Sequence, residues 1–254
     1  MAAVPGNPRM EPTVRRIVAI AAVGLALAAG CGGDSHTLII DPGDGGKYAP
    51  VLDPANFVAL VDNDYFPLQP GSRWVYESVD GSERIEVEVL TETREVIGIT
   101  ATVVRDTVYE DGEVIEDTWD WYAQDKDGNV WYLGEDTAEY KDGKVVSHHG
   151  AWEAGVDGAL PGIVMWADLA AGKAYRQEYF KSEAEDMARI ERAGVNAAVR
   201  GVSYDGVVVI REWTPLDPGI VEDKYYAPGV GPILEIKIKG GDERLELVSF
   251  ERGK

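Results

Sequence analysis

Cys31 is the only thiol in the chain, so it cannot close an internal disulfide and its place calls for another use. It follows Leu27-Ala28-Ala29-Gly30, and small residues directly before a cysteine are what lipoprotein signal peptidase accepts. The expected chemistry is attachment of lipid to that thiol. The other reactive side chains are three His and 45 Asp and Glu. Neighbouring acids such as Asp117 and Asp120, or Glu135 and Asp136, could serve a glycosidase as acid and base or nucleophile. With so many carboxylates such pairs arise by chance, and nothing in the sequence selects one.

Metal, phosphate and nucleophile patterns are missing. There is no zinc helix motif, cysteine pair, dinucleotide glycine pattern or nucleophile elbow. Adjacent His148 and His149 point to opposite faces if they lie on a strand, and His36 is far away. Asp125-Lys126-Asp127-Gly128-Asn129 resembles the start of a calcium loop, but its sixth residue is Val130 and its twelfth is Asp136 rather than Glu. The expectation is a plain hairpin turn. The chain is accordingly read as carrying no catalytic residue, no metal and no cofactor.

The tryptophans offer binding chemistry instead. Trp119, Trp121, Trp131, Trp152 and Trp166 fall within fifty residues of sequence, and aromatic side chains dominate both cores and ligand pockets. They are the candidate ligand-binding residues, for an apolar or carbohydrate-like ligand. Their alternative use is core filling in a chain with only four Phe.

The elements that must position them are strands. Residues 117–136 read as a hairpin, with Trp119, Trp121 and Ala123 on one face and Asp120, Tyr122 and Gln124 on the other. Lys126-Asp127-Gly128-Asn129 supplies its reversal. Arg84 to Val89 alternates, which sends Ile85, Val87 and Val89 to a core. Asp80-Gly81, Asp111-Gly112 and Asp142-Gly143 are further turns, and a bend or bulge is expected at Gly98 within a strand over 95–109. Residues 150–172 read as a long ordered loop, and 173–180 as a strand. Ser182-Glu183-Ala184-Glu185 has capping-box spacing, so one or two helical turns are expected there before a strand resumes. Asp205-Gly206 reads as leading into a doubly buried strand, Val207 to Ile210, and residues 213–222 read as a loop. With almost no helix to cover it, such a sheet must curl on itself. The fold expected is all-β: one curled antiparallel meander (barrel, half-barrel or sandwich) with at most one or two short helices.

Two stretches carry a resemblance. Tyr65-Phe66-Pro67-Leu68-x-Pro70-Gly71-x-x-Trp74-x-Tyr76 and Tyr226-Ala227-Pro228-Gly229-Val230-Gly231 resemble a family of uncharacterised bacterial lipoproteins with a β-rich exported domain. The resemblance implies a lipid-anchored β domain spanning roughly residues 56–248. It implies no activity and no catalytic residues.

Organisation and charge point the same way. Arg9, Arg15 and Arg16 precede a 13-residue apolar run, Ile17 to Ala29, which suits a signal peptide and falls short of the ~20 residues of a membrane-spanning helix. The expected plan is a lipoprotein signal over 1–30, a Gly/Pro/Asp-rich tether over 31–55 after the lipidated cysteine, and a β-rich domain over 56–254. The whole chain carries a formal charge of −21; the signal holds three Arg and one Glu, a net of +2, which leaves −23 beyond it. Such a surface repels phosphate backbones and anionic headgroups, so no nucleic-acid partner is expected, and contact with a membrane runs through the lipid on Cys31. The expected location is the cell envelope: the outer membrane where there is one, since Gly32 gives no Asp-type retention signal, and otherwise the outer face of the cell membrane. The functional expectation is a non-catalytic lipid-anchored protein whose β domain binds a ligand or an envelope protein. The alternative is a carboxylate-dependent hydrolase acting on envelope polymers.

Overall fold

A computed structural model describes residues 48–172 and 174–253. Cys31, His36, the apolar run and most of the expected tether lie outside the described residues.

Period-two alternation and left-handed turn residues together build one antiparallel sheet of fifteen strands. They are β1 (Arg73–Ser78), β2 (Glu83–Val96), β3 (Ile99–Glu110), β4 (Glu113–Gln124), β5 (Val130–Lys141), β6 (Lys144–Ser147), β7 (Trp152–Glu153), β8 (Leu160–Met165), β9 (Ala174–Arg176), β10 (Glu178–Tyr179), β11 (Met187–Val199), β12 (Val202–Thr214), β13 (Asp217–Ala227), β14 (Gly231–Lys239) and β15 (Arg244–Glu251). The lateral order is β10-β8-β5-β4-β3-β2-β1-β15-β14-β13-β12-β11-β9, with β6 and β7 also pairing with β5. Two meanders thus spread outward from the paired first and last strands, and the sheet curls without closing. Among the described residues the only helical element is a 3-10 turn, Pro54–Asn56.

The sheet's turns explain both successes and errors of the sequence expectations. Two-residue hairpin loops match the twist of their strands when both residues have positive φ. Asp111-Gly112 and Asp142-Gly143 do so, as expected. Ile97-Gly98 and Arg200-Gly201 do so as well. Residues 95–109 are therefore not one bent strand but the end of β2, a turn and β3. Asp205-Gly206 leads into the buried run as expected, from inside β12, where the register against β11 slips. Ser182 keeps half of the capping box, its backbone N–H donating to Glu185 Oε1 at 2.8 Å, yet no helix follows. Alternation from Met187 onward pairs with β12 instead, because sheet pairing buries Met187, Ala188 and Ile190 together. Two expected loops are also strands: β8 adds to β5, and residues 217–222 belong to β13.

The family-like stretches pack against each other at the closure of β1 on β15. The Trp74 indole N–H donates to the Val230 carbonyl at 2.7 Å, and the Trp74 ring stacks on Phe250 at 5.0 Å. Phe66 and Leu68 are buried beneath, and the Gly229 N–H donates to the Asp64 carbonyl at 2.6 Å. Val207 to Ile210 are fully buried, as their continuous apolar run requires.

The interior is unusually polar. Registers place Val104, Asp120 and Glu135 on one face, in line across β3, β4 and β5, together with Asp106, Tyr122 and Tyr132. Across the other meander, Ile210, Lys224 and Glu235 align. Lys224 Nζ lies 2.7 Å from Glu212 and 3.6 Å from Glu235. Burial opposes the lysine's charge, and the two glutamates outweigh it and hold its pKa well above the usual value. Such an enclosed cation is tolerable only with its carboxylates in place.

Candidate functional site

The two edges of the sheet meet at one segment, and a roomy cleft lies there. β9 pairs with β11 (Met187↔Arg176, Arg189↔Ala174), and β10 pairs with β8 (Glu178↔Pro161). Gln177 joins them. Its backbone N–H donates to the Asp186 carbonyl at 2.8 Å, and its side-chain amide to Glu212 at 3.0 Å. The single strand expected over 173–180 is therefore broken in the middle, so that each half can serve a different edge. Gly162 on β8 makes this crossing possible: a Cβ there would come within 2.2 Å of the Gln177 carbonyl.

Beside this seam is a cleft of about 510 Å³ lined by Tyr48, Pro50, Trp131, Ile163, Trp166, Asp168, Ala170, Ala174, Tyr175, Arg176 and Ile190. Ile163 opposes Trp131 across the β5–β8 pair. Trp166 meets the Tyr175 ring edge to face at 5.8 Å. The Arg176 guanidinium lies 4.3 Å from the Tyr179 ring centre and 5.7 Å from that of Tyr48. Tyr48 is held by its hydroxyl, which donates to the Pro161 carbonyl at 2.8 Å. Trp131 is fixed from the turn below, where its indole N–H donates to Asp125 Oδ2 at 2.9 Å. Asp125 also accepts the backbone N–H groups of Asp127 and Asn129 and the Asn129 side-chain amide. Four donors on one carboxylate make this a tied hairpin turn, in keeping with the plain turn expected there.

The five tryptophans are not one group. Trp131 and Trp166 share the seam cleft. Trp119 and Trp121 lie on the outer face of β4, where the Arg105 guanidinium lies 5.1 Å from the Trp119 ring centre and that of Arg94 lies 3.9 Å from Trp121. They line a separate cleft of about 400 Å³ with Glu92, Thr93, Arg94, Val103 and Asp136. Trp152 is buried, its ring meeting Tyr132 edge to face at 5.3 Å. The other face of the hairpin, with Asp120 and Tyr122, is the one turned inward.

The neighbouring acids of the sequence separate in the same way. Asp117 faces outward and takes a bidentate pair from Arg105 at 2.8 Å, while Asp120 faces inward. Asp136 is exposed and Glu135 buried. The carboxyls that do converge are Asp120 and Glu135, directly opposed across β4 and β5, with Glu178 and Asp106 near them. The Tyr132 hydroxyl donates to Asp120 Oδ1 at 2.6 Å. Burial pushes the Asp120 carboxyl up to about 7, against the pull of that hydrogen bond. Burial raises Glu135, Glu178 and Asp106 well above the usual carboxyl range, and repulsion from neighbouring carboxylates, Asp120 among them, adds to it. These side chains are nearly inaccessible: Asp120 is 1% exposed and Glu135 2%. Such groups hold protons rather than meet solutes.

Among the described residues the histidines form no site. His148 Nδ1 lies 2.9 Å from the Thr137 carbonyl, and His149 lies 3.8 Å from Glu183. Among the described residues no three His, Cys, Asp or Glu side chains are grouped to hold a metal ion.

Sequence reasoning missed Tyr48, Tyr175 and Arg176 in the cleft, and Asp106 and Glu178 inside the sheet. Asp106 carried a faint signal, an acid within the β-branched run from Val103 to Val108. The others carried none: Tyr48 meets Pro161 across 113 positions, and the contacts of Tyr175, Arg176 and Glu178 depend on where the two sheet edges cross.

No family model and no curated protein matches the chain. Two solved structures are distantly similar. A candidate exported protein with a YmcC-like fold from Bacteroides fragilis superposes with a TM-score of 0.41 at 14% identity, covering 75% of this chain and 100% of that one. A candidate lipoprotein from Parabacteroides distasonis gives a TM-score of 0.37 at 9% identity, covering 74% and 99%.

Proposed function

We propose that this is a lipid-anchored envelope protein that acts by binding rather than by catalysis, and that an apolar ligand occupies the cleft at the seam of its sheet. The observation that carries the ligand is the cleft itself. Its 510 Å³ falls in the range of small-molecule sites, and its walls are aromatic and aliphatic with one cation and one carboxylate for orientation. The anchor rests on Cys31 and the signal-like run before it. The body's charge of −23 disfavours direct contact with anionic headgroups, so lipid on the thiol is what would hold it at the outer membrane, or at the outer face of a single membrane. The hydrolytic alternative would use Asp120 and Glu135, which converge with raised pKa values; it would require both to reach solvent through the seam.

Native mass spectrometry of the protein extracted from its own host tests this reading. The expected result is a co-purifying apolar small molecule whose occupancy drops at least about tenfold in Trp166→Ala, the loss of one large aromatic contact. A protein that is empty, or a ligand indifferent to both Trp166→Ala and Trp131→Ala, would overturn it.

A further inference from the structure

We propose a second binding site, independent of the seam: a platform for a neutral oligosaccharide on the outer face of β4 and β5, centred on Trp119. The register sets Arg105, Trp119 and Asp136 side by side across β3, β4 and β5, all on the outer face. Trp119 is half-buried and Asp136 exposed. The 400 Å³ cleft beside them is lined by Trp119 but not by Arg105, so the indole offers the cleft a side that the guanidinium does not occupy. Glu92, Thr93, Arg94 and Asp136 supply donors and acceptors around it.

Charge narrows the ligand class. A cation entering this cleft meets Arg94, which already lies over the Trp121 ring and donates to Glu153 at 3.0 Å. An anion meets Glu92 and Asp136, on a chain of net charge −21. A purely apolar ligand would leave those polar groups desolvated and unmatched. A pyranose ring fits all three conditions: it is neutral, one face presents C–H groups to an aromatic ring, and its edge hydroxyls both donate and accept. Trp121 borders the cleft but offers it little surface. It is almost fully buried between Arg94 and the backbone at Gly134, where a Cβ would come within 2.9 Å of its ring.

The test is calorimetric titration of the full chain with cellotetraose, maltotetraose and chitotetraose. At least one is expected to bind in the millimolar range or tighter, with Trp119→Ala weakening it by more than about tenfold and Asp136→Ala by roughly fivefold. Asp136 is exposed, so its variant remains folded and decides the matter if Trp119→Ala does not fold. Absence of binding by all three sugars overturns the site, and so does binding that survives Asp136→Ala unchanged.

Discussion

The protein is expected to become less stable as pH rises from 5.5 to 8.5, the reverse of a domain whose carboxylates are held ionised. The cause lies in the buried acids. Burial raises Asp120 from 3.8 to about 7 and Glu235 from 4.5 to about 7, and raises Asp106, Glu135, Glu178 and Glu222 well above their ordinary values. Each folded-state carboxyl therefore binds its proton more tightly than the unfolded chain does. The stability this contributes is complete below the unfolded value near 4 and is lost as pH rises through the folded value. For Asp120 alone the loss between pH 4 and 7 is about 4 kcal/mol, from three pKa units at 1.36 kcal/mol each, and about half of it falls above pH 5.5. The groups raised further continue the loss above pH 7. Lys224 opposes it locally at Glu235, Glu222 and Asp106, whereas the largest forces on Asp120, Glu135 and Glu178 are burial and neighbouring carboxylates, set against hydrogen bonds. Urea midpoints at constant salt, begun at pH 5.5 to stay clear of the isoelectric point near 4.4, measure the trend. Asp120→Asn keeps an acceptor for the Tyr132 hydroxyl and removes the charge. It is expected to flatten the slope and to stabilise the protein at pH 8.5 by about 2 kcal/mol. Stability that rises steadily from pH 5.5 to 8.5 would mean that the interior acids are hydrated or paired.

Gly162→Ala is expected to cost about 3 kcal/mol or more, a large effect for one methyl group. The added Cβ would stand 2.2 Å from the Gln177 carbonyl carbon and oxygen and 2.6 Å from the Glu178 nitrogen. All three are backbone atoms, so no rotamer relieves the contact. The Gly162 φ lies outside the left-handed region that favours glycine, so the cost is steric rather than conformational. Relief requires the segment 176–178 to lift from β8, which hydrates Glu178 and opens the seam. Gly81→Ala is the reference: its φ is +76° but nothing lies within 4 Å, so backbone strain alone should cost about 1 kcal/mol. Faster amide exchange at residues 174–179 should accompany the Gly162 loss. If Gly162→Ala costs no more than Gly81→Ala, the edges of the sheet do not cross as described.

What was legible in the sequence was local. Asp111-Gly112 and Asp142-Gly143 announced their hairpins because both residues tolerate left-handed φ. Ile97-Gly98 and Arg200-Gly201 did not, because a β-branched residue and an arginine are poor signals for a conformation that the flanking ladders impose. Alternation correctly divided residues 119–124 between two faces but could not say which was inside. That depends on the curl of the whole sheet, and Asp120 with Tyr122 took the interior while Trp119 and Trp121 took the outer face. The seam was invisible for a related reason. Tyr48, Trp131, Trp166 and Tyr175 meet only because the two meanders end at the same place, and no window of sequence contains that fact.

The most direct measurement is an experimental structure of the protein purified from its own host, read at the seam. The account predicts continuous non-protein density in the cleft, in van der Waals contact with Trp131, Trp166 and Tyr175. A cleft filled by ordered water alone, or closed by those same side chains folding into it, would contradict it.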